Sequence, residues 1–163
     1  MMLYSRRSIP FIVIAVISGI FRLNAASSAE PTSVKFDSYN GYFVSNQFEP
    51  EAKESFVVCL NQQAFDKCFG VAFVMGNKSH RLPKDVFETQ QVVGAIKRGS
   101  SIWDYTVKKV VESNDEIEVH YSAKEMKQPS ATFASPLIVS IPTKQYKSIS
   151  FVENGKVIKV VKP

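Results

Sequence analysis

Apolar and polar residues alternate with period two along most of this chain, which predicts strands rather than helices. In "SIWDYTV" Trp103, Tyr105 and Val107 alternate with Ile102, Asp104 and Thr106; in "EIEVHY" Ile117, Val119 and Tyr121 alternate with Glu116, Glu118 and His120. Both segments read as half-buried strands joined by a turn at "SNDE". Lys108 and Lys109 upset the alternation, leaving the register or a bulge open. In "SISFVENGKVIKVV" the pair Asn154-Gly155 suits a two-residue type I′ turn, since both residues tolerate positive φ. Counting back from it pairs Glu153 with Lys156, Phe151 with Ile158 and Ile149 with Val160, with one face apolar.

Further strands are expected at the opening of the mature chain and at "GYFVSNQF", "SFVVCL", "VAFVM" and "QVVGAIKR". The stretch "SATFASPLIVSIP" places Phe133, Leu137, Val139 and Ile141 on one face and is punctuated by Pro136 and Pro142, so it reads as a core strand that lies at an edge or is bent at its prolines. Two helical pieces are expected. One is "NQQAFDKCFG", with Asn61 as N-cap and Gly70 as its stop; the other is a short turn at "PKDVF" with Pro83 as first helical residue. Many short strands with few helices predict a mainly β fold, an antiparallel β-sandwich or small open barrel with one or two short helices.

The first 29 residues change the picture of what must fold. Arg6 and Arg7 precede an apolar run from about Ile9 to Phe21, and Ser27 and Ala29 supply small side chains before Glu30. This is the layout of a secretory signal peptide, residues 1–29, with Sec-type export favoured over the twin-arginine route and cleavage after Ala25 or Ala26 as the alternative. The apolar run is shorter than the roughly 20 residues a membrane span needs, so no stable membrane insertion is expected after cleavage. The expected location is outside the cytoplasm, periplasmic or extracellular. Residues 30–163 then form one β-rich domain. Three of the 20 basic residues lie in the leader and none of the 15 acidic ones does, so the mature chain is nearly neutral and offers no argument for nucleic acid.

Cys59 and Cys68, in an exported chain, are expected to form a disulfide between a strand end and the following helix, worth roughly 2.5–3 kcal/mol for so short a loop. Two buried free thiols are the alternative. His80 and His120 are the only histidines. Neither stands in a metal motif, although Glu116, Glu118 and His120 share a strand face. No nucleophile elbow, phosphate loop or dinucleotide fingerprint occurs, so neither catalysis nor a cofactor is expected. Two candidate partner-binding features remain. The loop "GNKSHRLPKD" gathers Lys78, His80, Arg81 and Lys84, which could receive a carboxylate or phosphate, with Arg81 bidentate; an ordinary solvated loop is the plainer reading. The polar segment "SAKEMKQPS", read as a loop, presents Met126 beside the proline-punctuated strand. Trp103 could anchor an interface, but its parity with Tyr105 and Val107 favours core packing.

The layout "FDKCFGVAFVMG … HRLPKDVF … VVGAIKRG … SATFASPLIVSIP … FVENGK" resembles a group of exported bacterial proteins of the kind abundant in planctomycetes. More distantly, the order from "VVGAIKRGSSIWDYTV" to "SATFASPLIVSIP" is similar to the C-terminal domain of the PrcB-type accessory subunit of a bacterial surface protease complex. Where that domain has a glycine-rich turn before a Tyr-containing strand, this chain has "RGSSIWDY", with one glycine and a tryptophan. The resemblance implies a non-catalytic exported domain that binds another protein, as accessory subunit or inhibitor of an envelope protease. A module for a small anionic or glycan ligand, and an unrecognised hydrolase using His80 or His120, are the alternatives.

Overall fold

The runs "QVVGAI" and "PLIVSI" carry apolar residues at both parities, so strands built from them must be covered on both faces. The computed structural model of the protein, which describes residues 30–72, 80–128 and 130–163, places these two strands side by side at its centre. In chain order the elements are β1 (Thr32–Ser33), β2 (Asp37–Tyr39), β3 (Tyr42–Val44), β4 (Glu54–Cys59), α1 (Gln62–Cys68), β5 (Phe69–Val71), α2 (Val86–Thr89), β6 (Gln90–Gly99), β7 (Ser101–Ser113), β8 (Glu116–Lys127), β9 (Phe133–Pro142), β10 (Ser148–Glu153) and β11 (Lys156–Val161). The fold is mainly β and sandwich-like, with no closed barrel. One sheet has the order β1-β7-β8-β10-β11, the second β2-β9-β6-β4, and β3 pairs with β5 as a separate ribbon. All pairings are antiparallel except that of β10 with β8.

The second sheet separates two cores. Val93 and Ala95 of β6 with Leu137, Val139 and Ile141 of β9 face the first sheet and pack with Ile117, Val119, Tyr121, Ile149 and Phe151. On the opposite face Val92, Ile96 and Ile138 pack with Phe65, Phe69, Val44 and both cysteines, supplied by α1 and the β3–β5 ribbon. Each fully buried aliphatic side chain contributes about 1.5–3 kcal/mol, so both layers matter to stability. Gly94 of β6 lets the second layer close: a Cβ there would lie 3.2 Å from Phe69 Cζ, 3.0 Å from Val57 Cγ2 and 3.0 Å from the Leu137 carbonyl oxygen.

Several local expectations are corrected by this packing. β9 is not an edge strand: β6 runs beside its whole length and β2 covers residues 138–140 on the other side. Pro136 lies before the β2 ladder begins and Pro142 ends the strand. The segment 122–127, read as loop, continues β8. Helix α1 is capped by Asn61, whose Oδ1 accepts the Ala64 N–H at 2.8 Å, but it ends on extended Phe69, and Gly70 belongs to β5. There Gly70 makes room for the Phe43 ring across the ribbon, where a Cβ would come within 2.4 Å. Pro83 precedes α2, which begins after Asp85.

Both hairpin turns take positive φ as their residues require, Asn154 at 50° with Gly155 at 85°, and Asn114 at 54° with Asp115 at 64°. Lys108 is the extra residue of a bulge in β7. In the last hairpin Glu153 pairs with Lys156 as expected, but a second bulge sets Phe151 opposite Lys159 and Ile149 opposite Val161. Ile158 and Val161 both pack on the first core as a result, and Val157 and Val160 are left exposed.

The Cys59–Cys68 disulfide is also corrected. Both thiols are free and buried, 4.3 Å apart. Cys59 ends β4 and Cys68 ends α1, so the two meet within the second core and pack there as small apolar groups. The hydrogen bond to Cys68, together with burial, pushes the Cys59 thiol up. Nonreducing mass spectrometry should therefore give the mass of two thiols, and alkylation should be slow in native protein and rapid once it is unfolded. A two-hydrogen mass deficit would contradict this arrangement.

An exposed ion network ties the β7–β8 turn to the chain entering β10. Lys144 contacts Glu112 at 2.5 Å and Asp115 at 2.7 Å, and Lys147 contacts Asp115 at 3.3 Å. Hydrogen bonds from Lys144 and then Lys147 hold the Asp115 carboxyl below the ordinary aspartate range. Its contribution is present above that ordinary range and is lost as pH falls through the lowered folded value. NMR titration should find Asp115 below free aspartate, and Lys144→Ala should move it back toward the free value.

Candidate functional site: an open strand edge beside a basic cleft

The β7–β8 hairpin outgrows the strand beside it. β10 pairs with β8 from Glu116 to Tyr121 and then turns away at Asn154-Gly155, while β8 runs on to Lys127 paired only with β7. Antiparallel strands point successive residues' backbone groups to opposite sides. The Tyr121 carbonyl accepts the Asn154 N–H, and Trp103 N–H, directly across the ladder from Glu125, donates away from β8 to Ser135 Oγ at 3.0 Å. Both contacts assign the same parity. Tyr121, Ala123 and Glu125 aim N–H and C=O away from β7, and for Ala123 and Glu125 no strand is there to receive them among the described residues. Residues 124–127 are all exposed.

Beside this edge the two main sheets gape. The cleft between them has a volume of about 410 Å³ and is lined by Lys53, Glu54, Lys97, Arg98 and Trp103. Lys97 continues the inward parity of Val93 and Ala95, so its chain leaves the core with the charge at the mouth. Its Nζ contacts Glu153 at 2.5 Å, with both side chains only 12% exposed, lies 3.8 Å from Glu54, and sits 4.1 Å from the centre of the Trp103 ring. Arg98 reaches the other way and holds the segment before β4, donating to Phe48 O at 2.8 Å, Ala52 O at 3.2 Å and Ser55 Oγ at 2.7 Å. Behind Lys97, burial pushes the Tyr105 and Tyr121 phenols well up, so both rings stay neutral. Trp103 is half-buried at the rim of the cleft, not inside the core that its parity suggested.

A second opening lies on the other side of Trp103. It has a volume of about 260 Å³ and includes Tyr39, His80, Asp104, Tyr105 and Leu137 in its walls. An adjoining shallow cleft of about 590 Å³ is shared by Asp37, Tyr39, His80, Arg81 and Pro83. The structure thus brings His80 and Arg81 together, leaves Lys84 exposed and outside both walls, and puts Met126 on β8 opposite Ile102, away from that loop. Met126 is 43% exposed and faces the outer side of the sheet. Lys78 and the leader lie outside the described residues. His120 pairs with Glu118 at 2.7 Å on the open face of the first sheet, and no group of three metal-binding side chains occurs among the described residues.

Sequence reasoning missed Lys53, Lys97, Arg98, Glu153 and the free groups of Ala123 and Glu125. The alternation of β6 does mark Lys97 as inward-facing; nothing local marks where β10 would leave β8. No protein-family model, curated protein or solved structure matches the chain.

Breaking a buried ion pair on one side leaves the other charge unpaired and costs several kcal/mol, whereas replacing both members by apolar groups does not. Lys97→Ala should destabilise the protein by about 3 kcal/mol in urea unfolding, and Lys97→Met combined with Glu153→Leu should recover most of the loss. A single-substitution cost below about 0.5 kcal/mol would mean the pair behaves as an exposed one.

Proposed function

We propose that this chain is an exported, non-catalytic β-domain that binds another protein by accepting an extended segment of it along the free edge of β8, as an accessory subunit or inhibitor of an envelope protease. The observation that carries the reading is the backbone of Ala123 and Glu125, which no strand receives among the described residues, leading into a segment exposed from Lys124 to Lys127. Added strands gain affinity from main-chain hydrogen bonds and specificity from the side chains on either face. Lys124 and Met126 flank such a strand on the outer face, and the cleft around Lys97 flanks it on the inner one. Envelope proteins are the partners the leader sequence makes available, and the resemblance to a protease accessory subunit selects a protease among them. Among the described residues no helix is long and apolar enough to cross a membrane.

A second reading, a small anionic or glycan ligand, has its own support in the opening where His80 meets Tyr39, Trp103 and Tyr105. The hydrolase reading has less behind it, since His120 meets its acid, Glu118, on the open face of the first sheet and not in a cleft.

Glu125→Pro removes one outward N–H and the side-chain bond that Glu125 accepts from Ser101 Oγ, while leaving the backbone ladder with β7 in place. Mature protein immobilised and exposed to envelope extract should capture a defined exported protein, and Glu125→Pro should lose it while retaining the native circular dichroism spectrum. Met126→Asp should weaken the same capture with a melting temperature within about 2 °C of the parent, as expected of an exposed position. Undiminished capture by the folded Glu125→Pro variant would overturn strand addition at this edge.

A further inference from the structure

Between the two sheets, the inner face of the open edge carries more carboxylate than cation. Ala123 and Glu125 follow Tyr121 at alternate positions of β8 and share its inward face, and Glu153 is the last inward residue of β10. Glu54, directly across the β4–β6 ladder from Lys97, shares the inward parity of that lysine. Lys97 is the one cation these acids have in common: its Nζ meets Glu153 Oε1 at 2.5 Å and lies 3.8 Å from Glu54. The second Glu153 oxygen, Oε2, is buried beside the hydroxyl of Tyr121, a residue only 2% exposed, and neither atom has a hydrogen-bond partner. Glu125 accepts a bond from the Ser101 hydroxyl at 2.6 Å and meets no cation among the described residues. The remaining cations do not answer these acids. Arg98 and Lys53 have the parity of Ile96 and Ser55, on the face of their sheet turned away from the cleft, and Arg98 is bound there to Phe48 O, Ala52 O and Ser55 Oγ. Lys127, at the outer end of β8, makes no ion pair among the described residues.

We infer, resting on the strand-addition reading, that the bound segment is an extended peptide with a lysine or arginine at the position facing Ala123. Residues directly across a ladder share a face, so whichever way the segment runs, its side chain opposite Ala123 points inward. That position continues the line of β10, about 6.6 Å beyond Glu153. Glu125 is its diagonal neighbour on β8, about 7–8 Å away, which a long side chain spans. The short side chain of Ala123 leaves the room. The incoming cation thus stands between Glu153 and Glu125, where Glu153 Oε2 and Tyr121 Oη await a donor. Lys97 is the pattern for it, an inward ammonium held among Glu153, Glu54 and the Trp103 ring. A second copy of this chain fits less well. Antiparallel self-pairing centred on Glu125 brings Lys127 of one copy opposite Ala123 of the other, but it also sets the two Glu125 carboxylates directly across the ladder, where like charges are unfavourable.

The test is selection of short, unconstrained peptides from a random phage-displayed library against the full mature chain. The enriched peptides are then measured by fluorescence anisotropy against the parent, Glu125→Pro and the double variant Glu54→Gln with Glu125→Gln. Both glutamates are exposed, and glutamine at 125 keeps the backbone N–H and an oxygen for Ser101, so the double variant retains the fold, which unfolding curves verify. The expected result is enrichment of lysine or arginine at a fixed position between β-branched or aromatic residues. Binding should be lost in Glu125→Pro, and lost to the parent when the peptide's own N–H groups are methylated at alternate positions. It should weaken about tenfold in the double variant, as loss of a charge-assisted hydrogen bond implies, and weaken with added salt. Replacing the peptide's basic residue by glutamine should cost the same against the parent and little against the double variant, the signature of a direct pair. Peptides that need the backbone N–H groups but carry no basic residue, or that bind the double variant equally well, overturn the basic specificity and leave strand addition standing. Peptides indifferent both to Glu125→Pro and to N-methylation, or no enrichment at all, overturn strand addition itself. Dimerisation of the free chain that Glu125→Pro abolishes would name a second copy as the occupant instead.

Discussion

The fold depends on burying the β6–β9 pair on both faces at once. Val92, Val93, Ile96, Ile138, Val139 and Ile141 are all fully buried, so one covering sheet would leave half of these side chains in water. The chain meets the demand with two coverings of different kinds. The large sheet built on the β7–β8 hairpin closes one face, and α1 with the β3–β5 ribbon closes the other. The cysteines take their roles from this division. They stand in the second, smaller core as packing groups, where a sulfur atom takes the place of a methyl and the surroundings of Cys59 disfavour its thiolate.

The same constraint explains why the chemistry collects at one end of the sandwich. β6 keeps its inward parity past the last apolar layer, so Lys97 enters between the sheets and must be met by charge rather than carbon. Glu153 meets it because β10 runs parallel to β8 and ends at that layer. The turn that reverses β10 into β11 thereby does two things: it supplies the carboxylate that neutralises Lys97, and it uncovers the rest of β8. An open edge and a half-buried aromatic ring beside it thus arise together from one geometrical fact, that the β7–β8 hairpin is longer than its neighbour. Proteins ordinarily blunt such edges with lysine or with a short strand. Lys124 and Lys127 stand along this one.

Much of the fold was legible in the residues, because strand periodicity and turn chemistry are local. Alternation located β7, β8 and β10; "SNDE" and Asn154-Gly155 located the turns, the latter through tolerance of positive φ; Asn61 announced its helix; and the lysines after Val107 broke the alternation where the bulge lies, without deciding between a bulge and a change of register. The errors share a cause. Residues 122–127 have poor strand propensity and form a strand only because β7 lies beside them, and the bulge beyond Phe151 appears only because Ile158 and Val161 both have a core to reach. Cys59 and Cys68 were correctly brought close, but their spacing could not say whether they would bond or merely pack. By itself, then, the sequence determined the class of fold, the turns and the core faces, each a matter of a few consecutive residues. Only the tertiary structure decided which strand runs beside which and where each stops, since pairing partners lie far apart in the chain, and the site exists solely in the mismatch of their lengths.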